Sequence, residues 1–381
     1  MDREWPAARS RRSSIVAQFG GERADLLHRA LTTGDPLADA VAGAMQADPA
    51  IRQQIDLGLV HGLAAVPQPH DAVRALLTDT ERRPDYVDDA LLERGSRPFH
   101  SMPPAVHIVS LSVGALIRVY QSPSITVVLA GTGRLIDGAE RRIRETGKWL
   151  GTAMLPGALA PGQAGYVATI RVRLLHALVR MGARRKGFDE TKFGVPLNQV
   201  DLGRTWMDFT LTAWSAEEEM GFGLTSSELD RLYRLWWYVG HLMGVDARLI
   251  EGISAHDQAK RVDDLFQAVT GPPIAQSPQL AAATLDSIKK ELNAALNVPA
   301  KLGLRALWSL VRRFHGDRVA DELGIPASPV SDPVISGAIE ICRARRSAAR
   351  RDPVRWEAET DSNIDALKGE LAAFDNAEYE R

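Results

Sequence analysis

Apolar residues recur along this chain mostly three and four apart, and strand candidates are few, so the pattern predicts helices rather than strands. One predicted helix is central. Around Ile170-Arg-Val-Arg-Leu-Leu-His176-Ala, the residues Ile170, Val172, Leu174, Leu175, Leu178 and Val179 cover an arc wider than a surface helix needs. Arg171 falls inside that arc, which predicts a buried arginine that must meet an anion. His176 lies at its edge, beside Thr169, Arg173 and Arg180. Upstream, a second helix carries Arg142-Ile-Arg-Glu145-Thr146, with Arg142 and Thr146 one turn apart on one face. The turn-rich Leu-Pro-Gly-Ala-Leu-Ala-Pro-Gly loop over 155–162 joins the two.

Turn and cap residues set the other boundaries. Helical sequence is expected over 36–66 and 71–77, parted by Pro67-Gln-Pro69, and over 84–94, capped by Asp85 and stopped by Gly95. An apolar stretch over 103–131 is broken at Ser122-Pro-Ser. Asn198 or Asp201 caps a helix running through Trp214, and Thr225-Ser-Ser-Glu228 is a capping box before residues 229–243. Later helices are expected over 257–269, 277–296, 300–314 and 335–351. The fold class is therefore all-α, one large helical domain over 36–345. A polar N-terminal extension (1–35) with a weak helix near 23–31 precedes it, and a charged C-terminal tail (346–381) follows.

One segment imitates another fold. Ile125-Thr-Val-Val-Leu-Ala-Gly131-Thr-Gly133 resembles a first nucleotide-binding strand and its glycine turn, but the sixth fingerprint position is Ile136 and no strand-helix alternation follows. The balance of charge, net -2, implies neither nucleic acid nor a membrane surface as partner. Basic residues at 343–351 next to an acidic tail predict a solvated surface feature. The apolar run over 106–120 contains His107 and Arg118 and is expected as a buried helix, so no integral membrane segment is predicted. After Arg9, Arg11 and Arg12 the apolar stretch is too short for an export signal, and a cytoplasmic location is expected.

Metal chemistry is narrowed by spacing. The nine histidines include no His-x-x-x-His and no Glu-x-x-His, which excludes the usual zinc hydrolase and di-iron patterns. The single cysteine, Cys342, forms no disulfide framework or paired-cysteine motif and lacks the glycine-rich surround of a haem thiolate. Haem needs only one protein imidazole for five-coordinate iron, and His176 is one candidate; an inert core-boundary histidine fits the same spacing. His241 suits a core or polar-pocket role. Haem propionates want cations, and Arg142, Arg171 and Arg173 stand close to His176 in sequence.

Several motifs in order change the balance. Thr132-Gly-Arg-Leu, Arg142-x-x-x-Thr146, Trp149, the Pro-Gly loop, Arg171-Val-Arg-Leu-Leu-His176-Ala and Val195-Pro-Leu-Asn-Gln199 together resemble the latex clearing protein (rubber oxygenase) and MpaB-type oxygenase family, over roughly residues 84–326. The resemblance implies a globin-like helical core around a haem b pocket, with His176 as iron ligand and Arg142 and Thr146 in the same pocket. It implies an oxygenase using O2 on a small apolar, unsaturated substrate of isoprenoid or lipid type. Thr146 would donate to bound oxygen or water, or back-bond to its own helix. Rubber-cleaving relatives carry lysine where this chain has Glu145, a residue suited to general-base work or to a surface ion pair. Two alternatives come from other classes: a haem-free helical binding or scaffold protein, and a haem protein for gas sensing or electron transfer without turnover.

Overall fold

The computed structural model describes residues 4–131, 139–296 and 300–373, and among them every regular element is a helix. The fold is all-α, as the periodicity predicts. In chain order the main helices are α1 (Arg12–Phe19), α2 (Gly21–Leu31), α3 (Pro36–Ala47), α4 (Ala50–His61), α5 (Asp71–Glu81), α6 (Asp89–Arg94), α7 (Pro104–Val119), α8 (Pro123–Gly131) and α9 (Ala139–Met154). There follow α10 (Ala164–Arg185), α11 (Gln199–Met207), α12 (Ala213–Glu217), α13 (Ser226–Leu242), α14 (His256–Thr270), α15 (Ser277–Leu296), α16 (Ala300–Glu322), α17 (Asp332–Ala349) and α18 (Pro353–Ala373).

Local chemistry sets these boundaries. Asp35 caps α3 by accepting from the Ala38 amide, with Pro36 preset for the first turn. Asn198, one of two residues expected to cap α11, accepts from the amides of Val200 and Asp201. Thr225 and Glu228 form the predicted reciprocal box at the start of α13. Asp85 does not cap a helix: Val87 donates back to the Pro84 carbonyl in a turn, and α6 begins only at Asp89, under Asp88. The strand-like Ile125–Leu129 is helical within α8. Thr132–Leu135, including Gly133, and Ile136 lie outside the described residues.

Two expectations about the ends of the chain are corrected. The first 35 residues are not a peripheral arm: Ile15, Leu27 and Leu31 are fully buried, and the Arg9 guanidinium makes a buried 2.8 Å ion pair with Asp201 on α11. The apolar residues of α2, Ala24, Leu26, Leu27, Ala30 and Leu31, are all buried. The charged tail likewise contains α18, which buries Thr360 and Ile364 and binds Arg97 through Asp361 at 2.9 Å. Its charges decorate the outer face of a docked helix.

Two clusters of buried side chains organise the interior. One surrounds α10 and includes Trp149, Tyr166, Ile170, Trp206, Trp214 and Trp236. The other joins Val113, Ile117, Tyr120 and Ile125 to Leu280, Leu285, Leu307 and Val311. α9 touches both, through Trp149 and Leu150 on one side and Ile143 on the other. Three π-helical segments, Ser110–Leu116 within α7, Asp208–Thr212 after α11 and Glu218–Phe222 after α12, lie close by. Such wide turns insert a residue into the helical repeat and gather at functional sites. No single described helix is long and apolar enough to cross a membrane.

Candidate functional site

α9 and α10 form an antiparallel pair whose register is set by two contacts. Gly165 begins α10 against Ala153: a Cβ there would stand 2.9 Å from the Ala153 Cα and 2.8 Å from the Ala158 carbonyl oxygen, so only glycine fits. One turn on, the Trp149 indole donates to Thr169 Oγ1 at 3.1 Å. Gly157 and Gly162, both at positive φ, turn the intervening loop. Carried two further turns along each helix, the same register brings Arg142 level with His176.

His176 differs from its neighbours on α10. Its Nδ1 is buried and has no hydrogen-bond partner, and burial, with the Arg180 guanidinium adding to it, lowers the imidazole pKa to about 4. The ring is therefore neutral at physiological pH, with a nitrogen lone pair available to a metal. Arg173, one turn away, is fully engaged: it holds Asp35 through two bonds of 2.6 and 3.0 Å and reaches Asp79 and the Leu242 carbonyl. Arg180 meets Asp39 at 3.2 Å. His241 donates from Nε2 to the Asp79 carbonyl at 3.2 Å, which gives it the polar-pocket place expected of it.

The remaining candidates separate. The Arg142 guanidinium hydrogen-bonds the Tyr120 phenol, which is itself bonded to Thr284 at 2.8 Å. Glu145 is paired with Arg141 at 2.5 Å, one turn back on α9. Arg171 is a correction: it is exposed and pairs at the surface with Asp56 at 3.0 Å. Apolar residues almost encircle α10, so their spacing misjudged its buried side; that side carries Tyr166, Thr169, Ile170, Arg173, Ala177 and Arg180. Arg171 projects opposite to it and stays far from any buried anion.

A cavity of about 290 Å3 opens on the far side of α9. Of the expected site residues only Thr146 lines it. Phe99, Leu111, Ile143, Leu150 and Phe209 make much of its wall. Two buried histidines also face it. His107 is stacked on Phe99 with both nitrogens bound, Nδ1 to Glu217 at 2.8 Å and Nε2 to the Phe99 carbonyl at 2.9 Å. His100 donates to the Met154 carbonyl at 2.7 Å. Among the described residues no group of three or more His, Cys, Asp and Glu side chains could hold a metal ion.

Residues 97–348 match the family model described as "ER-bound oxygenase mpaB/B'/Rubber oxygenase, catalytic domain". The chain belongs to this family. As a member of an oxygenase family, it shares its fold with the solved latex clearing protein LCP in the closed state, at a TM-score of 0.65 over 91% of this chain and 92% of that one. The two are 19% identical, so the likeness is one of fold. No curated protein sequence matches the chain. The family's span encloses α9 and α10 with Arg142, Glu145, Thr146 and His176, and it ends before α18.

Tyr120, which meets Arg142, and the α18 wall of the cavity are features that residue patterns did not reveal. Tyr120 ended an apolar run that looked like plain core. Leu367 and Leu371, one turn apart, were a signal for an inward face of α18, obscured by the charges around them.

Proposed function

We propose that the protein is a haem b-dependent oxygenase that uses O2 on a small apolar, unsaturated substrate, with His176 as the iron ligand. The carrying observation is the buried, unbonded Nδ1 of His176 on a neutral ring. Leaving a buried polar atom without a partner costs on the order of 1–3 kcal/mol, and proteins tolerate that where a ligand or a reaction uses the atom. A porphyrin would itself supply four nitrogens to the iron, so one imidazole would suffice and a multi-histidine cluster is not needed.

When bound, haem supplies the redox chemistry that activates O2. The chain's own residues hold and orient. His176 offers an imidazole in the neutral form that binds metal. Arg142, level with it across the seam, carries a cation that can leave the Tyr120 phenol for a propionate. Thr146 is placed to donate a hydrogen bond beside the apolar cavity, where a substrate chain excludes water. Glu145, paired with Arg141 and absent from the cavity lining, fits the surface ion pair rather than general-base work, and as a carboxylate it does not replace lysine as a neutral nitrogen ligand. Arg171, held at the surface by Asp56, is left out of the pocket.

The test is a haem titration of the full-length protein and of His176→Ala, followed by absorption spectroscopy and circular dichroism. The wild-type chain is expected to bind one haem with a histidine-type spectrum, and the variant to lose tight binding while keeping its helical signal. A folded wild-type protein that takes up no haem would end this reading and favour a haem-free binding protein. Stoichiometric haem with an unchanged spectrum in the variant would move the ligand elsewhere.

A further inference from the structure

The cavity beside Thr146 is closed by a helix that lies outside the family's domain. α18 spans Pro353–Ala373, whereas the family match ends at residue 348. Asn363, Leu367, Glu370 and Leu371 of α18 line the cavity, and their spacing places them on one helical face. The approach is close: a Cβ on Gly151 of α9 would meet Leu367 Cδ1 at 3.1 Å and Leu371 Cδ2 at 3.4 Å. The C-terminal segment is therefore part of the cavity's construction.

The lining defines what fits. His100 and His107 face the space but spend their nitrogens on Met154, Glu217 and Phe99, so they offer no free buried donor or acceptor. The charged residues of the lining, among them Arg144 and Glu370, are at its exposed edge, next to the half-exposed Ile108. Ser112, Thr146 and Asn363 are the remaining uncharged polar groups of the lining, so a polar ligand would recover few of the hydrogen bonds it loses with its hydration. A hydrocarbon chain would lose nothing and gain burial. The volume, about 290 Å3, lies just below the roughly 300–1,000 Å3 of small-molecule sites, too small for a folded polymer.

We propose that this cavity binds one hydrocarbon chain of a small lipid-like molecule, polar end outward, and that Leu367 and Leu371 of α18 limit the chain's length. As the place of the substrate's chain, the site rests on the oxygenase reading above; as a binding pocket it requires no haem. The experiment therefore uses full-length protein with and without haem, together with His176→Ala. A fluorescent polyene fatty acid serves as probe, with displacement by farnesol and by saturated fatty acids of increasing length to separate prenyl from acyl chains.

Saturable, one-to-one probe binding is expected in all three proteins. Leu371→Trp should weaken it at least tenfold, and Leu367→Ala should shift displacement toward longer chains. Ile108→Trp narrows the cavity from α7, at an exposed position where folding is not at stake, and should also weaken binding. No saturable binding to the folded wild-type chain, or equal binding by wild type, Leu371→Trp and Ile108→Trp, would overturn the proposal. Binding that persists in His176→Ala, with haem uptake absent even from wild type, would retain the pocket and remove the oxygenase reading.

Discussion

Arg173 and His176 stand one turn apart on the same helix, yet their surroundings are opposite. Arg173 is held by two bonds to Asp35 and a further contact with Asp79, whereas His176 Nδ1 is enclosed with no partner. A buried polar group that is fully bonded belongs to the architecture; one left unbonded on a well-packed helix is available to something else. Arg180 on the same helix and Arg9 also keep an unbonded buried nitrogen, so what sets His176 apart is that its free atom is on a neutral imidazole, which can bind a metal.

The comparison breaks most visibly at Arg173. Arg173→Ala leaves the Asp35 carboxylate buried without its cation, and loss of one member of such a pair costs about 3–5 kcal/mol. Chemical denaturation should show that loss, whereas His176→Ala in haem-free protein should change stability by no more than about 1 kcal/mol. Equal losses would mean that the unbonded ring is as structural as the ion pair.

His100 sharpens the contrast as a buried histidine that does have a partner. Burial lowers its pKa from 6.5 to about 4, so the folded protein holds it neutral while the unfolded chain protonates it. Its contribution is present above about pH 6.5 and is lost as the pH falls toward 4, by on the order of 3 kcal/mol. His100→Gln cannot take up that proton. The stability gap between wild type and variant should accordingly shrink across pH 6.5 to 4 in denaturation series, and a gap constant with pH would contradict the assignment.

The smallest effect is expected at Arg171. Its pair with Asp56 is exposed on both sides, and such pairs contribute roughly 0–1 kcal/mol. Arg171→Ala should leave both the denaturation midpoint and haem titration within error of wild type. A large loss of haem affinity would return Arg171 to the pocket.

What residue spacing disclosed follows from what spacing measures. Thr225 and Glu228 announce a helix start because a capping box is a local exchange of hydrogen bonds, and Asn198 does so for the same reason. His176, Arg142 and Thr146 were singled out through ordered motifs, and the α9/α10 register sets Arg142 level with His176. Arg171 was misplaced because helical periodicity finds the buried side only when the apolar arc is narrow, and α10 is apolar almost all round. Asp35, Asp79 and Tyr120 were missed because their partners are distant in sequence. Nothing in a local window marks Asp35 as the anion for Arg173, or brings α18 onto α9.

The widened turn at Ser110–Leu116 has a meaning for the length of the chain rather than its composition. A π turn carries one residue more than an α turn, so everything after it is rotated by about 100° from where an unbroken α-helix would put it. Arg118, just beyond, meets Asp208 at 3.1 Å and also binds Asp263 from that rotated position. Asp208 itself stands in a second such turn. The two offsets act like matching teeth on a pair of gears: a side chain can be exchanged at either, but a residue removed from one alone would put the pair out of mesh.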